Sequence, residues 1–160
     1  MTTTWMTRCE NGKLWDEFRE GGFIATGDIE MQPDLTGVSS KDEIKSLMRQ
    51  AKHSRAANLR KLGYAAGVMY RMAIGISVGD RVFTYDRKNN RCCCGTVTRA
   101  YRFDPHRIAG KQHYRPVKWG RAFPLDALST EARSSFRAQA SVFRLPDATG
   151  TELQRLAPGN

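Results

Sequence analysis

The sequence predicts an α+β fold: a strongly curved sheet or barrel with helices packed against it. Three observations predict it. Short β-prone runs stand near both ends of the chain and again in its middle. Two helical patterns separate the second run from the third, and one more helix precedes the last run. The chain has 160 residues with 40% hydrophobic content, enough to bury one core and too apolar for disorder.

Residues 3–7 (Thr-Thr-Trp-Met-Thr) read as the first strand, and Asn11-Gly12 marks a turn. Leu14, Trp15 and Phe18 cluster on one helical turn that Gly21-Gly22 ends, so Trp15 reads as core. Residues 23–26 are a second strand. It runs into a loop over 27–37 that carries Pro33 and several acids. Ser39-Ser40 ahead of Lys41-Asp42-Glu43 is a helix start, a hydroxyl cap followed by acids where the helix dipole favours them. Ile44, Leu47 and Met48 form its apolar stripe. A second helix is expected over 54–73, with Leu59, Leu62, Ala66, Met69 and Ala73 facing the core. Gly63 and Gly67 cost this helix propensity, which close approach of another element would explain. Arg60 and Arg71, about three turns apart, share a face.

Strands are then expected at 81–86, 92–103 and 116–119, the first two joined by the polar turn 87–91. Asp80, in the Gly79-Asp80 turn, reads as an Asx-type cap on strand entry. Residues 124–128 are a short turn or helical piece, and Ser129 caps a helix running to about residue 138. Residues 141–145 are the last strand. The expected organisation is one recognition domain over 1–146, with 147–160 a tail, short helix or the start of a linker.

Charge is unevenly distributed. Residues 1–46 carry 5 basic and 9 acidic side chains, 47–121 carry 17 and 3, and 122–160 carry 4 and 4. The excess positive charge therefore lies wholly in the middle, the footprint of a polyanion-binding face. The four cysteines are Cys9 and the run Cys92-Cys93-Cys94. Adjacent cysteines do not bridge without strain, and no C-x-x-C spacing supports zinc, so they read as small strand residues in a reducing compartment. His106 and His113 lack partners at ligand spacing and read as loop residues; no metal and no cofactor are expected. No apolar run is long enough to span a bilayer, and a cytoplasmic location without membrane contact is expected.

Several ordered pieces resemble one known group. They are Trp15-Asp16-Glu17-Phe18, residues 22–27 (Gly-Phe-Ile-Ala-Thr-Gly), Asp34-Leu35, residues 40–44, residues 78–82 (Val-Gly-Asp-Arg-Val), Gly95-Thr96-Val97, residues 101–104, residues 115–119 (Arg-Pro-Val-Lys-Trp) and residues 141–144. The sequence resembles the EVE/PUA-like recognition domain at the N-terminus of Mrr-type and related modification-dependent restriction endonucleases. The resemblance implies a PUA/EVE-like curved β-barrel with flanking helices. It also implies a DNA-binding reader of a modified base in a restriction or defence context: methylated or hydroxymethylated cytosine, or N6-methyladenine. A nuclease domain or subunit would then do the cutting. Relatives often carry an aromatic residue after the glycine equivalent to Gly27, where this chain has Asp28.

Reading a base inside double-stranded DNA requires flipping it out, at a cost of a few kcal/mol offset by stacking and edge hydrogen bonds. The pocket therefore needs rings, polar groups and close backbone. Trp5, Tyr85 and Trp119 are the ring candidates at strand ends. Thr26, Gly27 and Asp28 form a turn where backbone approaches a ligand and a carboxylate accepts from an exocyclic amine. Asn58 is a candidate for a base edge. Arg55, Arg60, Lys61, Arg71, Arg99, Arg102 and Lys118 are the candidates for phosphate. The chain carries no His-Asn-His constellation and no zinc-ligand cluster, so catalysis by nuclease or deaminase chemistry is not expected. The competing reading is an RNA-binding or small-nucleotide-sensing PUA-like module.

Overall fold

The computed structural model describes residues 2–28, 30–108 and 110–157. Seven strands form one mixed sheet: β1 (Thr4–Thr7), β2 (Phe23–Thr26), β3 (Arg81–Asp86), β4 (Arg91–Val97), β5 (Arg102–Phe103), β6 (His113–Trp119) and β7 (Val142–Arg144). Their order is β2-β6-β4-β3-β1-β7, with β5 added on β6. β1 pairs parallel to β3; the other pairs are antiparallel. The sheet curls into a nearly closed barrel. Its two ends meet where Thr26 Oγ1, at the end of β2, lies 3.1 Å from Ser141 Oγ, just before β7. The fold is thus the α+β barrel with flanking helices that the residue pattern predicts.

The helices are α1 (Trp15–Gly21), α2 (Lys41–Gln50), α3 (Leu59–Tyr70), α4 (Thr130–Ser134) and α5 (Asp147–Leu156). Gly22, at φ +67°, closes α1 in the left-handed conformation that glycine adopts without penalty. Ser40 caps α2 by accepting the Glu43 N–H, as the hydroxyl-then-acid pattern predicts. α2 and α3 pack together over one face of the sheet, burying Ile44, Met48, Leu62, Ala66 and Met69 with Trp5, Val82 and Val142. A second cluster contains Met6, Phe83, Phe136, Leu145 and Leu153. Strand alternation sorts residues between the clusters: Trp5 faces the first and Met6 the second. Cys93 likewise faces the first, Cys92 and Cys94 the second. All four cysteines are free and buried, and desolvation raises their thiol pKa values, Cys93 to about 11 and Cys94 to about 12. These are inert packing residues rather than thiolate nucleophiles.

Several expectations are corrected. The helix expected over 54–73 is three pieces: a 3-10 turn (Ser54–Ala57), α3, and a π turn (Arg71–Gly75). The break falls at Asn58, whose backbone is extended and whose Oδ1 accepts the N–H groups of Arg60 and Lys61. Leu59 is therefore at the exposed first turn of α3, 79% accessible, not in the core. Nothing approaches Gly63; at Gly67 the nearest groups are the Arg71 guanidinium and Lys41 Nζ. The strand expected over 92–103 ends at Val97, and a turn separates it from β5. β6 begins at His113 rather than residue 116. α4 stops at Ser134 rather than near residue 138, and past it Arg8 donates to Phe136 O, Ala138 O and Ala140 O. The residues after Pro146 form α5, with Leu153 wholly buried. Glu152 of α5 accepts both the N–H and the O–H of Ser129, which holds its carboxyl below the usual range and ties α5 to α4. Among the described residues no helix is long and apolar enough to cross a membrane.

Candidate binding cavity at the barrel gap

The meeting of β2 and β7 leaves a cavity of about 500 Å³, within the range of ligand clefts of roughly 300–1,000 Å³. One wall is the strand end Thr26-Gly27-Asp28. Gly27 sits at φ +133°, and a Cβ there would lie 3.0 Å from Gln112 Oε1 and 3.2 Å from the His113 ring. Only glycine gives this backbone both its conformation and its clearance. Gln112 is buried, and its Oε1 accepts no hydrogen bond among the described residues. The opposite wall is Gln139 and Ser141, on the segment that Arg8 holds by its carbonyls. Helices supply the apolar side: Met48 from α2, and Tyr64, Ala65, Val68 and Met69 from α3.

A buried histidine sets the polar end. His53 is 4% exposed. Its Nδ1 accepts the Arg55 N–H at 3.1 Å, so a neutral ring carries its proton on Nε2, 3.1–3.2 Å from both Asp28 oxygens. Asp28 is thereby oriented while its side chain stays 44% exposed, free to accept a further donor from the cavity. Glu30 accepts the N–H and O–H of Ser54, which lowers its pKa. Asp28, Glu30 and His53 bring three ligand atoms within 4.8 Å of one another, a donor set for a divalent cation, but all three already hold protein hydrogen bonds.

The loop bearing Asp28 is anchored from below. His113 is fully buried; its Nε2–H donates to Met31 O at 2.8 Å and its Nδ1 accepts the Tyr101 O–H at 2.6 Å. The Tyr101 oxygen in turn accepts the Leu35 N–H at 3.1 Å. Desolvation pushes the His113 pKa down and the Tyr101 pKa up, so both stay neutral at pH 7. The unfolded chain then binds a proton near the ordinary histidine value of 6.5 that the folded chain refuses. Stability is expected to be constant above that pH and to fall as pH drops below it toward the folded pKa. Urea midpoints between pH 8 and 5 measure this, and His113→Gln should flatten the slope; an unchanged slope in that variant would remove His113 as the cause.

Five cations, Arg49, Lys52, Arg55, Arg60 and Lys61, lie between the end of α2 and the start of α3, with no acid among residues 49–61. All are exposed, and among the described residues none has an ion pair. Arg55 lines the cavity itself, as does Lys111, which donates to Gly27 O and pairs with Glu10 at 2.9 Å.

The family model for a domain of unknown function, DUF8426, matches residues 5–146. The chain belongs to the DUF8426 family. The match runs from β1 through β7, covers the whole cavity lining and stops at the residue before α5. No curated protein matches the chain.

Of the residues the sequence singles out, this DUF8426 domain brings Thr26, Gly27, Asp28 and Arg55 to one cavity. Arg60 and Lys61 are exposed on the adjoining first turn of α3. The three rings are elsewhere. Trp5 is 8% exposed and donates its indole N–H to Asp80 Oδ2 at 2.9 Å, the carboxylate that also caps the Ser77 N–H. Trp119 donates to Phe18 O at 2.8 Å and lies over Gly95. Tyr85 lines a different cavity. Asn58 is spent on capping α3. Arg71 donates Nε–H to Val142 O at 2.7 Å, half-buried against β7. Arg99 and Arg102 share a separate groove with Arg107, and Lys118 is exposed on β6. The cavity also takes His53, Tyr64 and Met31, which the sequence did not single out, and Met48 and Met69, which it marks as core. The Tyr64, Ala65, Val68, Met69 spacing is a helical stripe and was the available signal. Trp5→Phe and Trp119→Phe, which keep a ring and lose one hydrogen bond, are each expected to cost about 1–2 kcal/mol of stability in urea denaturation. An unchanged urea midpoint in either would mean that its indole hydrogen bond contributes nothing.

Proposed function

We propose that this DUF8426 domain is a non-catalytic, PUA/EVE-like reader that receives one flipped base of double-stranded DNA in the barrel-gap cavity. The base would be a methylated or hydroxymethylated cytosine or an N6-methyladenine, and a nuclease domain or subunit would act on the recognition. One observation carries the reading: an oriented, half-exposed carboxylate and a half-exposed tyrosine ring share a cavity bordered by unpaired cations. Asp28 suits the exocyclic amine of cytosine or adenine. Tyr64, 46% exposed, offers a stacking face. Met31, Met48 and Met69 are polarizable and adaptable, suited to an added methyl group. Arg55, Arg60 and Lys61 would supply the charge that flanking phosphates require.

One observation favours a second reading. Tyr64 is the only Phe, Tyr or Trp among the described lining residues, so stacking offsets less of the cost of leaving a duplex. A single-stranded RNA base or a free nucleotide would avoid that cost. Fluorescence anisotropy at fixed salt separates the readings, using identical duplexes with cytosine, 5-methylcytosine, 5-hydroxymethylcytosine, adenine or N6-methyladenine, and a matched single-stranded RNA. The expected result is a preference of about tenfold or more for one modified duplex. Equal, salt-sensitive binding to every duplex would overturn the reader, and tighter RNA binding would establish the alternative.

A further inference from the structure

A second cavity, of about 540 Å³, shares no lining residue with the first. Its floor is Tyr85 and Phe136, stacked at 5.5 Å and 21°. Around them stand Arg87 from the β3–β4 turn, Arg133 from α4 and Arg137 just beyond it. All three guanidiniums are exposed, and none has a hydrogen bond or ion pair among the described residues. The one acid in the lining, Asp126, is engaged by Asn90, which donates its Nδ2–H to Oδ2 at 3.0 Å. Three free cations on one cleft repel one another, and fixed anionic density is what would compensate them.

Tyr85 adds a second, independent observation. Its side chain is 9% exposed, and its oxygen accepts from Arg8 Nη1 at 2.6 Å. That bond occupies the oxygen as an acceptor and leaves the phenolic hydrogen with no protein acceptor among the described residues. A buried O–H donor without a partner, in a cavity flanked by three guanidiniums, is complementary to an oxyanion.

We infer that this cleft binds a phosphate ester, with Arg87, Arg133 and Arg137 as the clasp and the Tyr85 hydroxyl as a neutral donor. The phosphate comes either from a mononucleotide or from a nucleic-acid backbone. The inference does not depend on what the barrel-gap cavity binds.

Isothermal titration calorimetry with adenosine monophosphate, adenosine and a short DNA duplex tests it. The full chain is compared with an Arg133→Ala/Arg137→Ala double variant, with Tyr85→Phe, and with Arg121→Ala, exposed and outside both cavities, as a control for lost charge. Both arginines are exposed and unpaired, so the double variant should fold, which circular dichroism checks. Adenosine monophosphate is expected to bind and adenosine not to. The double variant should weaken the monophosphate about tenfold or more, and Tyr85→Phe a few-fold, with Arg121→Ala unchanged. If only duplex affinity falls in the double and Tyr85 variants, the phosphate is the nucleic-acid backbone and the site stands. No change in the affinity for either phosphate probe in the double variant overturns it.

Discussion

Replacing Arg115 by methionine is expected to lower stability by about 3–5 kcal/mol, the largest effect of any substitution considered for this domain. Arg115 lies in the middle of β6, paired with Ile24 of β2, and is 3% exposed. Its Nε–H donates to Arg99 O at 3.2 Å, and Nη1 donates to Met72 O at 3.3 Å and to Ile76 O at 2.5 Å. One guanidinium thus ties the turn after β4 to the π turn and to the exit from it. Burial depresses its pKa and the charge of Asp80 partly restores it, but an arginine stays protonated in any protein. Methionine fills much of the volume and leaves three carbonyls without their donor, each costing about 1–3 kcal/mol if no water reaches it. Lysine keeps the charge but presents no planar fork, so Arg115→Lys should recover little. Urea denaturation gives the answer directly. A loss below about 1 kcal/mol for Arg115→Met would mean that the carbonyls find other partners.

The second large effect concerns the barrel gap and rests on the proposed reader function. Tyr64→Ala is expected to weaken the preferred modified duplex by about 5- to 150-fold, the range that 1–3 kcal/mol of stacking per base implies. Tyr64 is half exposed and its hydroxyl has no partner among the described residues, so stability should barely change. Asp28→Asn keeps shape while removing the acceptor-only carboxylate. It should erase about 1–3 kcal/mol of discrimination between base edges while leaving unmodified DNA bound as before. Arg60→Ala and Lys61→Ala should behave oppositely, weakening all duplexes alike and each reducing the salt slope by about 0.9. A Tyr64 variant that binds every duplex as the unaltered chain does would remove the base from this cavity.

The legible parts of the site were local ones. A β-prone run ending in Thr26-Gly27-Asp28 announces a strand and then a turn with close backbone approach, and the structure has both. The cation-rich, acid-free stretch around Arg55 was visible as charge alone. The ring candidates show the limit. Trp5, Tyr85 and Trp119 all stand on strands, as expected, yet strand position does not say which face of a barrel meets a cavity. Trp5 and Trp119 each found a hydrogen-bond acceptor inside the fold, at Asp80 and at Phe18 O, from partners far away in sequence. Asn58 was ambiguous for a different reason: cap and base-reader use the same amide, and only the extended backbone at 58 decides for the cap.

The sequence by itself determined the class and order of the elements: strands where β-prone runs sit between turns, helices where caps precede apolar stripes, and one strongly basic central segment. These follow from backbone preference, capping and side-chain period, which act over a few residues. Only the tertiary structure decided that β2 and β7 close the barrel through Thr26 and Ser141 and that His53 reaches Asp28. It also decided that Arg8 binds the carbonyls beyond α4 and that Arg115 spends its charge on carbonyls. Those outcomes depend on desolvation and on hydrogen-bond partners up to 132 residues apart, and no local pattern encodes which buried polar group will find which partner.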